Sequence, residues 1–327
     1  MLDIPARPIG LLWGVAFHNG EIVPLKDETL PETVTQGCDW VWLHFGLSNH
    51  RARRFLEEFA ATPQAARAML LGTETRTQVH LAQHGCYGVV PDIERDFEGQ
   101  PLGFGRLAFW LDGKRLFTAR LHPMLAVQEV RGEAENGRLF CGPAEALARV
   151  IEHFVELTER RLTDIASQLD HFEDVVLAER GTDQSHLAPL RRELARYHRE
   201  FGALRTALHR AAVSRHSASE SLLGPYLPNL QQDVDNFYED AATLQERGRL
   251  LYEEMDLRAA ATTNRSVRAL TIISTLLLPA TFVVGAFGMN LTGIPWTGDG
   301  GGFWWAIGLC VLAVLGSYLA LKRLRVL

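Results

Sequence analysis

Residues 264–290 carry the side chains best suited to handling an ion. Counted from Asn264 in alternating steps of three and four, they read Asn264, Val267, Thr271, Ser274, Leu278, Thr281, Gly285 and Gly288, a heptad seam. The seam gathers every hydroxyl residue of the apolar stretch 269–287 except Thr275. Leu270, Ile272, Leu276, Leu277, Phe282 and Val283 fall on other faces. Two chemistries fit such a seam. Small and hydroxylated residues let helices pack closely in lipid, and they also line water-filled paths. Two helices cannot enclose a path, so the second chemistry requires several copies of the chain. The seam ends in Gly288, Met289 and Asn290, in a loop free of Lys and Arg. Asn290 offers a neutral carboxamide, donor and acceptor at once, and several copies would make it a ring.

Membrane helices must position these residues. Ala269–Phe287 and Phe303–Leu321 are two uncharged apolar runs of 19 residues each. As a helix each spans about 28 Å, close to the hydrocarbon thickness of a bilayer. Two buried core helices are the lesser reading. Arg265 and Arg268 precede the first run, and Lys322, Arg323 and Arg325 follow the second. The loop between them carries no basic residue, so both termini are expected in the cytoplasm and the loop outside. Trp296, Trp304 and Trp305 suit interfacial anchors on the outer side. Pro279 removes one backbone hydrogen bond from the first helix, a defect that neighbours tolerate.

Charge divides the chain in the same way. Residues 258–327 hold six basic residues and one acid, Asp299, for +5, which leaves −11 on residues 1–257 of a chain whose net charge is −6. An acidic soluble body argues against nucleic acid as a partner and enriches cations locally. Cys38, Cys86, Cys141 and Cys310 form no CxxC pair, so neither a zinc knuckle nor a redox motif is indicated. They read as reduced, buried thiols of a cytosolic domain. The opening MLDIPARPIGLL lacks the pattern of a signal peptide.

Residues 1–142 mix strand and helix signals and predict an α/β domain whose sheet order stays open. GLLWGVAF, WVWLHFGL, GCYGVV and LGFGRLAFWL read as strands, with a hairpin turn at Asp112 and Gly113. HRARRFLEEFA and PQAARAMLL read as helices. Residues 143–228 are helical, with one helix from about Pro143 to Glu179, a break at Gly181, and another from about Ser185 to Ser217. After Pro228 no strong breaker appears before Pro279, so 229–287 predicts one stalk helix that becomes the first membrane span. From Leu230 to Phe287 it would be about 87 Å long. The remaining segments are a loop at 288–302, a second span at 303–321 and a basic tail at 322–327.

The GMN tripeptide on the loop of a C-terminal helix pair resembles the CorA superfamily of divalent-cation transporters. The stretch RALTIISTLLLPATFVVGAFGMN, the short loop, the second helix, the basic tail, the acidic front and the long stalk all contribute, so the resemblance covers essentially the whole chain. It implies a funnel-shaped homopentamer in the inner membrane, with a central pore lined by the first membrane helix. It carries cation recognition onto Gly288, Met289 and Asn290, and pore lining onto Thr281, Leu278, Thr271, Val267 and Asn264. Ser274 and Gly285 share the seam. Phe287 stands where a Tyr is usual. The following loop, LTGIPWTGDGGGFWW, lacks an early acid and is similar to the zinc-transporting ZntB branch, with a Mg2+/Co2+ channel as the alternative. That branch implies Zn2+ as the cargo, proton-coupled uptake, and no cofactor. A ring of carboxamides can accept hydrogen bonds from the water of a hydrated ion without stripping it, and a charged ring would release the ion more slowly.

Other sites are less favoured. His80 and His84 are spaced i, i+4, and His44 lies near His50, but the first pair sits in a strand-and-turn pattern. Asp233, Asp235, Glu239, Asp240, Glu253, Glu254 and Asp256 read as a solvated helix face before a regulatory cation site. No nucleophile elbow, Walker loop or paired zinc-ligand motif indicates an enzyme.

Overall fold

A computed structural model describes residues 9–25, 27, 38–59, 61–73, 75–82, 85–96, 101–177, 187–213, 221–289 and 302–324. The chain divides into two compact units, 1–250 and 251–327.

The first unit opens with β1 (Leu11–His18), β2 (Glu21–Leu25), β3 (Trp40–Gly46), α1 (His50–Glu58) and α2 (Gln64–Leu70). It continues through β4 (Gln78–Ala82), β5 (Gly85–Arg95), β6 (Pro101–Asp112), β7 (Arg115–Arg120) and α3 (Ala126–Glu135). The strands form one sheet in the order β2-β1-β3-β7-β6-β5-β4. Every pairing is antiparallel except β3 with β7. β3 is buried on both faces, which is why it reads as an unbroken apolar run. Val41, Leu43 and Phe45 pack in a core with Ala52 and Leu56 of α1 and Ala66 and Leu70 of α2. Trp40, Trp42 and His44 point to the opposite face. There the His44 ring is stacked against Trp13 at 4.7 Å.

The Asp112 hairpin forms as expected. The Asp112 carboxylate accepts from the backbone N–H of Lys114 and Arg115, both at 2.8 Å. β5 continues through Pro91 to Arg95, past the expected end of the strand. Pro91 pairs with Arg106 of β6, while β4 pairs with β5 no further than Val89, so the missing N–H costs no ladder bond on the β4 side. β2 and α3 were not anticipated by the pattern.

The remaining helices are α4 (Pro143–Leu177), α5 (Leu187–Ala212) and α6 (Leu227–Phe287), which begins in the first unit and ends in the second. α5 buries Leu187, Leu190, Leu194, Tyr197, Phe201, Leu204, Leu208 and Ala211, a strict three-four spacing. Phe201 stacks on Phe154 of α4 at 5.2 Å and on Phe237 of α6 at 3.7 Å. In the second unit, α6 is followed by α7 (Gly302–Arg323).

Two buried polar groups tie elements together, His44 joining β3 to β7 and Asp92 joining β5 to α3. Arg120 Nε–H donates to His44 Nε2 at 2.9 Å, and His44 Nδ1 lies 2.8 Å from Thr118 Oγ1, which also accepts from Trp42 Nε1 at 2.9 Å. With Nε2 accepting, the neutral imidazole carries its proton on Nδ1. Burial, then Arg120 and Arg131, hold the His44 pKa well below its ordinary value. Asp92 caps α3 from a distance, accepting from the N–H groups of Ala126 at 2.9 Å and Val127 at 3.1 Å. Burial nonetheless raises its pKa from 3.8 to about 6.

The fold therefore favours protonated Asp92. The stability that the group contributes is full below pH 3.8 and is lost as pH rises through about 6. At 1.36 kcal/mol per pKa unit the loss is about 3 kcal/mol. Asp92→Asn cannot titrate. In thermal unfolding of the purified protein, the gap between wild type and Asp92→Asn is expected to move in the variant's favour from pH 4 to pH 7. A gap independent of pH contradicts this assignment.

Candidate functional site

The candidate site lies on α6 within the second unit. Asn264, Val267, Thr271, Ser274, Leu278, Thr281, Gly285 and Gly288 are all exposed, as is Met289. The shielded positions of the same helix are Ile272, Leu276, Pro279, Ala280, Val283, Ala286 and Phe287. At 100° per residue the mean directions of the two sets lie about 160° apart. The seam and the shielded face are therefore nearly opposite sides of one helix.

α7 shows which neighbour shields that face. Its half-buried or buried positions, Ala306, Cys310, Ala313, Val314, Ser317 and Leu321, fall on one stripe. Most are small, which allows close helix approach. Cys310 Sγ–H donates to the Ala280 carbonyl at 3.7 Å, across the two helices. The other side of α7 exposes large apolar groups, including Trp304 at 72% and Leu312 at 71%. Such a surface suits lipid rather than water. Pro279 sits on the α7-facing side and does not interrupt the helix. It deprives the Thr275 carbonyl of its helical donor, a loss on the side away from the seam.

Two of the three seam hydroxyls bond back to the helix. Thr271 Oγ1 donates to the Val267 carbonyl at 2.8 Å, and Thr281 Oγ1 to the Leu277 carbonyl at 2.6 Å. With their protons committed to the helix, these oxygens present lone pairs outward. Lone pairs accept hydrogen bonds from the water around a cation. Thr275, off the seam, makes the same bond to Thr271.

Gly288 ends the helix, its N–H donating to the Val284 carbonyl at 2.8 Å. Asn290, the loop through 301 with Trp296 and Asp299, and Arg325 lie outside the described residues.

No group of three or more His, Cys, Asp or Glu among the described residues is arranged to hold a metal ion. His80 is exposed on β4 and stacked on Tyr87 at 5.2 Å, while His84 lies outside the described residues. His50 is exposed at the start of α1, whereas His44 is buried. Asp235 pairs with Arg205 at 2.8 Å and with His209 at 3.1 Å. Of the four cysteines expected to be buried, Cys86 is, Cys38 and Cys310 are half-buried, and Cys141 is exposed. Sequence reasoning missed the stripe of small residues on α7 that faces α6. Its spacing from Ala306 to Leu321 was the available signal.

Two helices, the 61-residue α6 and the following α7, are long and apolar enough to cross a membrane, and the hydroxyl seam of α6 is turned away from their contact. The chain belongs to the CorA family: residues 38–323 match the family described as CorA-like Mg2+ transporter proteins. It is a divalent-cation transporter of that family. It is 26% identical over 288 residues to the divalent cation transporter CmaX of Pseudomonas aeruginosa, covering 87% of each chain. It is 22% identical over 293 residues to the zinc transport protein ZntB of Yersinia enterocolitica, covering 90% of each. The structure of full-length CmaX superposes with a TM-score of 0.81 at 24% identity, covering 98% of this chain and 99% of that one. The complete CorA magnesium transporter of Methanocaldococcus jannaschii gives 0.72 at 16% identity, covering 95% and 97%.

The two faces of α7 predict unequal responses to bulk. Ala313→Phe forces a ring into the α6–α7 contact, at a cost of about 1–3 kcal/mol. Leu312→Phe adds it to the exposed side. Thermal unfolding in detergent is expected to show a lower Tm for Ala313→Phe and almost no change for Leu312→Phe. Equal shifts would remove α7 from the shielded face.

Proposed function

We propose that this protein carries divalent cations, Zn2+ in preference to Mg2+, through a water-filled path shared by five copies of α6. The carrying observation is the division of α6, with its small and hydroxyl residues exposed on the side opposite α7. One pair of helices per chain leaves that face unmatched, and a ring of copies encloses it. Asn264, Val267, Thr271, Ser274, Leu278, Thr281 and Gly285 then line the path as successive rings. Gly288, Met289 and Asn290 form its outer mouth, the three residues that follow Phe287 in the sequence.

The seam offers hydroxyl, amide and apolar groups and no His, Cys or acid. Zinc bound by His or Cys is held tightly and directly. This path instead passes the ion with its water, and conduction needs weak, repeated contacts. The zinc assignment rests on the ZntB relatives and on the loop after the motif, and proton-coupled uptake follows the same branch. The positive flanks support cytoplasmic ends, an outer loop at 288–302 and an inner-membrane location. Residues 1–142 and 143–228 then form the cytoplasmic body, 229–287 the stalk and first span, 303–321 the second span, and 322–327 the tail.

Liposomes containing the purified protein test this reading through Zn2+ and Mg2+ influx measured side by side with a pH-sensitive dye inside. Zn2+ flux above Mg2+ flux, with protons moving alongside, is expected. Asn290→Ala is expected to cut the flux at least about tenfold without changing the assembled mass. Each hydrogen bond lost from the ring is worth about 1 kcal/mol net, and the ring multiplies it. Mg2+ flux equal to or above Zn2+ flux would move the chain to the Mg2+/Co2+ reading. Full flux through Asn290→Ala would leave the motif without this role.

A further inference from the structure

The first unit holds a cleft of about 830 Å3 beside α4 and α5, within the usual range for a small-molecule site. Its apolar lining includes Phe104 and Leu102 of β6 and Tyr197 of α5. Leu102 is 65% exposed, a large apolar side chain turned to the opening. Phe104 and Tyr197 meet edge to face at 5.2 Å.

Four arginines border the same cleft. Arg161 is satisfied by Glu193, with two hydrogen bonds at 2.8 Å. Arg160, Arg192 and Arg196 are exposed and form no ion pair among the described residues. Against Glu193 and Asp164, the four arginines leave two positive charges in excess, on a stretch of chain that carries −11. Arg192 Nε–H donates to the Ala188 carbonyl at 3.3 Å, which leaves the rest of its guanidinium, and those of Arg160 and Arg196, open to an anion. Guanidinium forks match phosphate oxygens two at a time, and a flat ring suits the aromatic and aliphatic floor. A lone carboxylate uses neither feature fully.

We propose that this cleft binds a nucleoside di- or triphosphate, its base on Leu102, Phe104 and Tyr197 and its phosphates on Arg160, Arg192 and Arg196. The cleft thereby gives the soluble body of a cation transporter a site for an anion that is itself a major ligand of divalent cations.

The test is calorimetric titration of the full chain in detergent with ATP, and separately with tripolyphosphate and adenosine. Binding is read directly, so the result does not depend on which cation is transported. ATP is expected to bind at least about tenfold tighter than either half-ligand. Arg192→Glu with Arg196→Glu is expected to weaken ATP at least tenfold and leave adenosine unchanged. Leu102→Ser, a separate exposed and uncharged change, is expected to weaken ATP and spare tripolyphosphate. Should the double variant fail to fold, Arg160→Gln replaces it, with the same direction expected. Absence of ATP binding, equal affinity for ATP and tripolyphosphate, or full ATP affinity in the arginine variant overturns the proposal. Loss of assembly in that variant, with no ATP binding by wild type, would make the cleft a contact between copies instead.

Discussion

The constraint on which the second unit depends is the phase of one helix. A bilayer offers no water to backbone groups, so the chain must cross it as unbroken helix. A helix turns one side chain in every three or four to the same direction. α6 uses one such stripe, at Ile272, Leu276, Pro279, Val283 and Ala286, against α7. In its first turns, within the first unit, the same helix buries Leu227, Leu230, Val234, Phe237, Ala241 and Leu244 at a three-four spacing. Within the second unit the α7-facing stripe and the Asn264–Gly288 seam occupy nearly opposite sides of the helix.

The chemistry of the seam follows from what its hydroxyls cannot do. Thr271 and Thr281 have given their protons to carbonyls one turn back. They accept hydrogen bonds and carry no charge, so they can support a hydrated cation without capturing it. In the proposed assembly Val267 and Leu278 would add apolar rings between the polar ones, which suits a barrier controlled by wetting. The front unit meets the cost of polarity differently. His44 and Asp92 are wholly buried, and each has partners at hydrogen-bond distance that hold it to its neighbours.

The membrane part was legible in the sequence because lipid simplifies the code: uncharged runs, basic flanks and a three-four seam needed no tertiary information. The strands around Trp42 and Phe109 and the turn at Asp112 were legible for the same reason, since local pattern and turn chemistry agreed. The sheet order was not. β3 pairs in parallel with β7, a neighbour some 70 residues away, and no local signal marks that choice. β2 was hidden by its alternation around exposed groups, and the end of β5 by Pro91. α3 is capped by Asp92, 34 residues upstream of Ala126, so its start lacks the usual adjacent cap. The exposure of the seam opposite α7 required the structure. The arginines of the cleft are scattered through α4 and α5 and become a cluster only when those helices pack.

The central claim is that the Asn264–Gly288 side of α6 meets water while the opposite side meets α7. A nitroxide scan from 264 to 288 in liposomes measures this directly, by comparing collision with a water-soluble nickel chelate and with dissolved oxygen. The account predicts nickel accessibility rising and falling with the seam, highest at Thr271, Ser274 and Thr281, and low for both reagents at Leu276 and Val283. High oxygen and low nickel accessibility along the seam would place it in lipid and contradict the account.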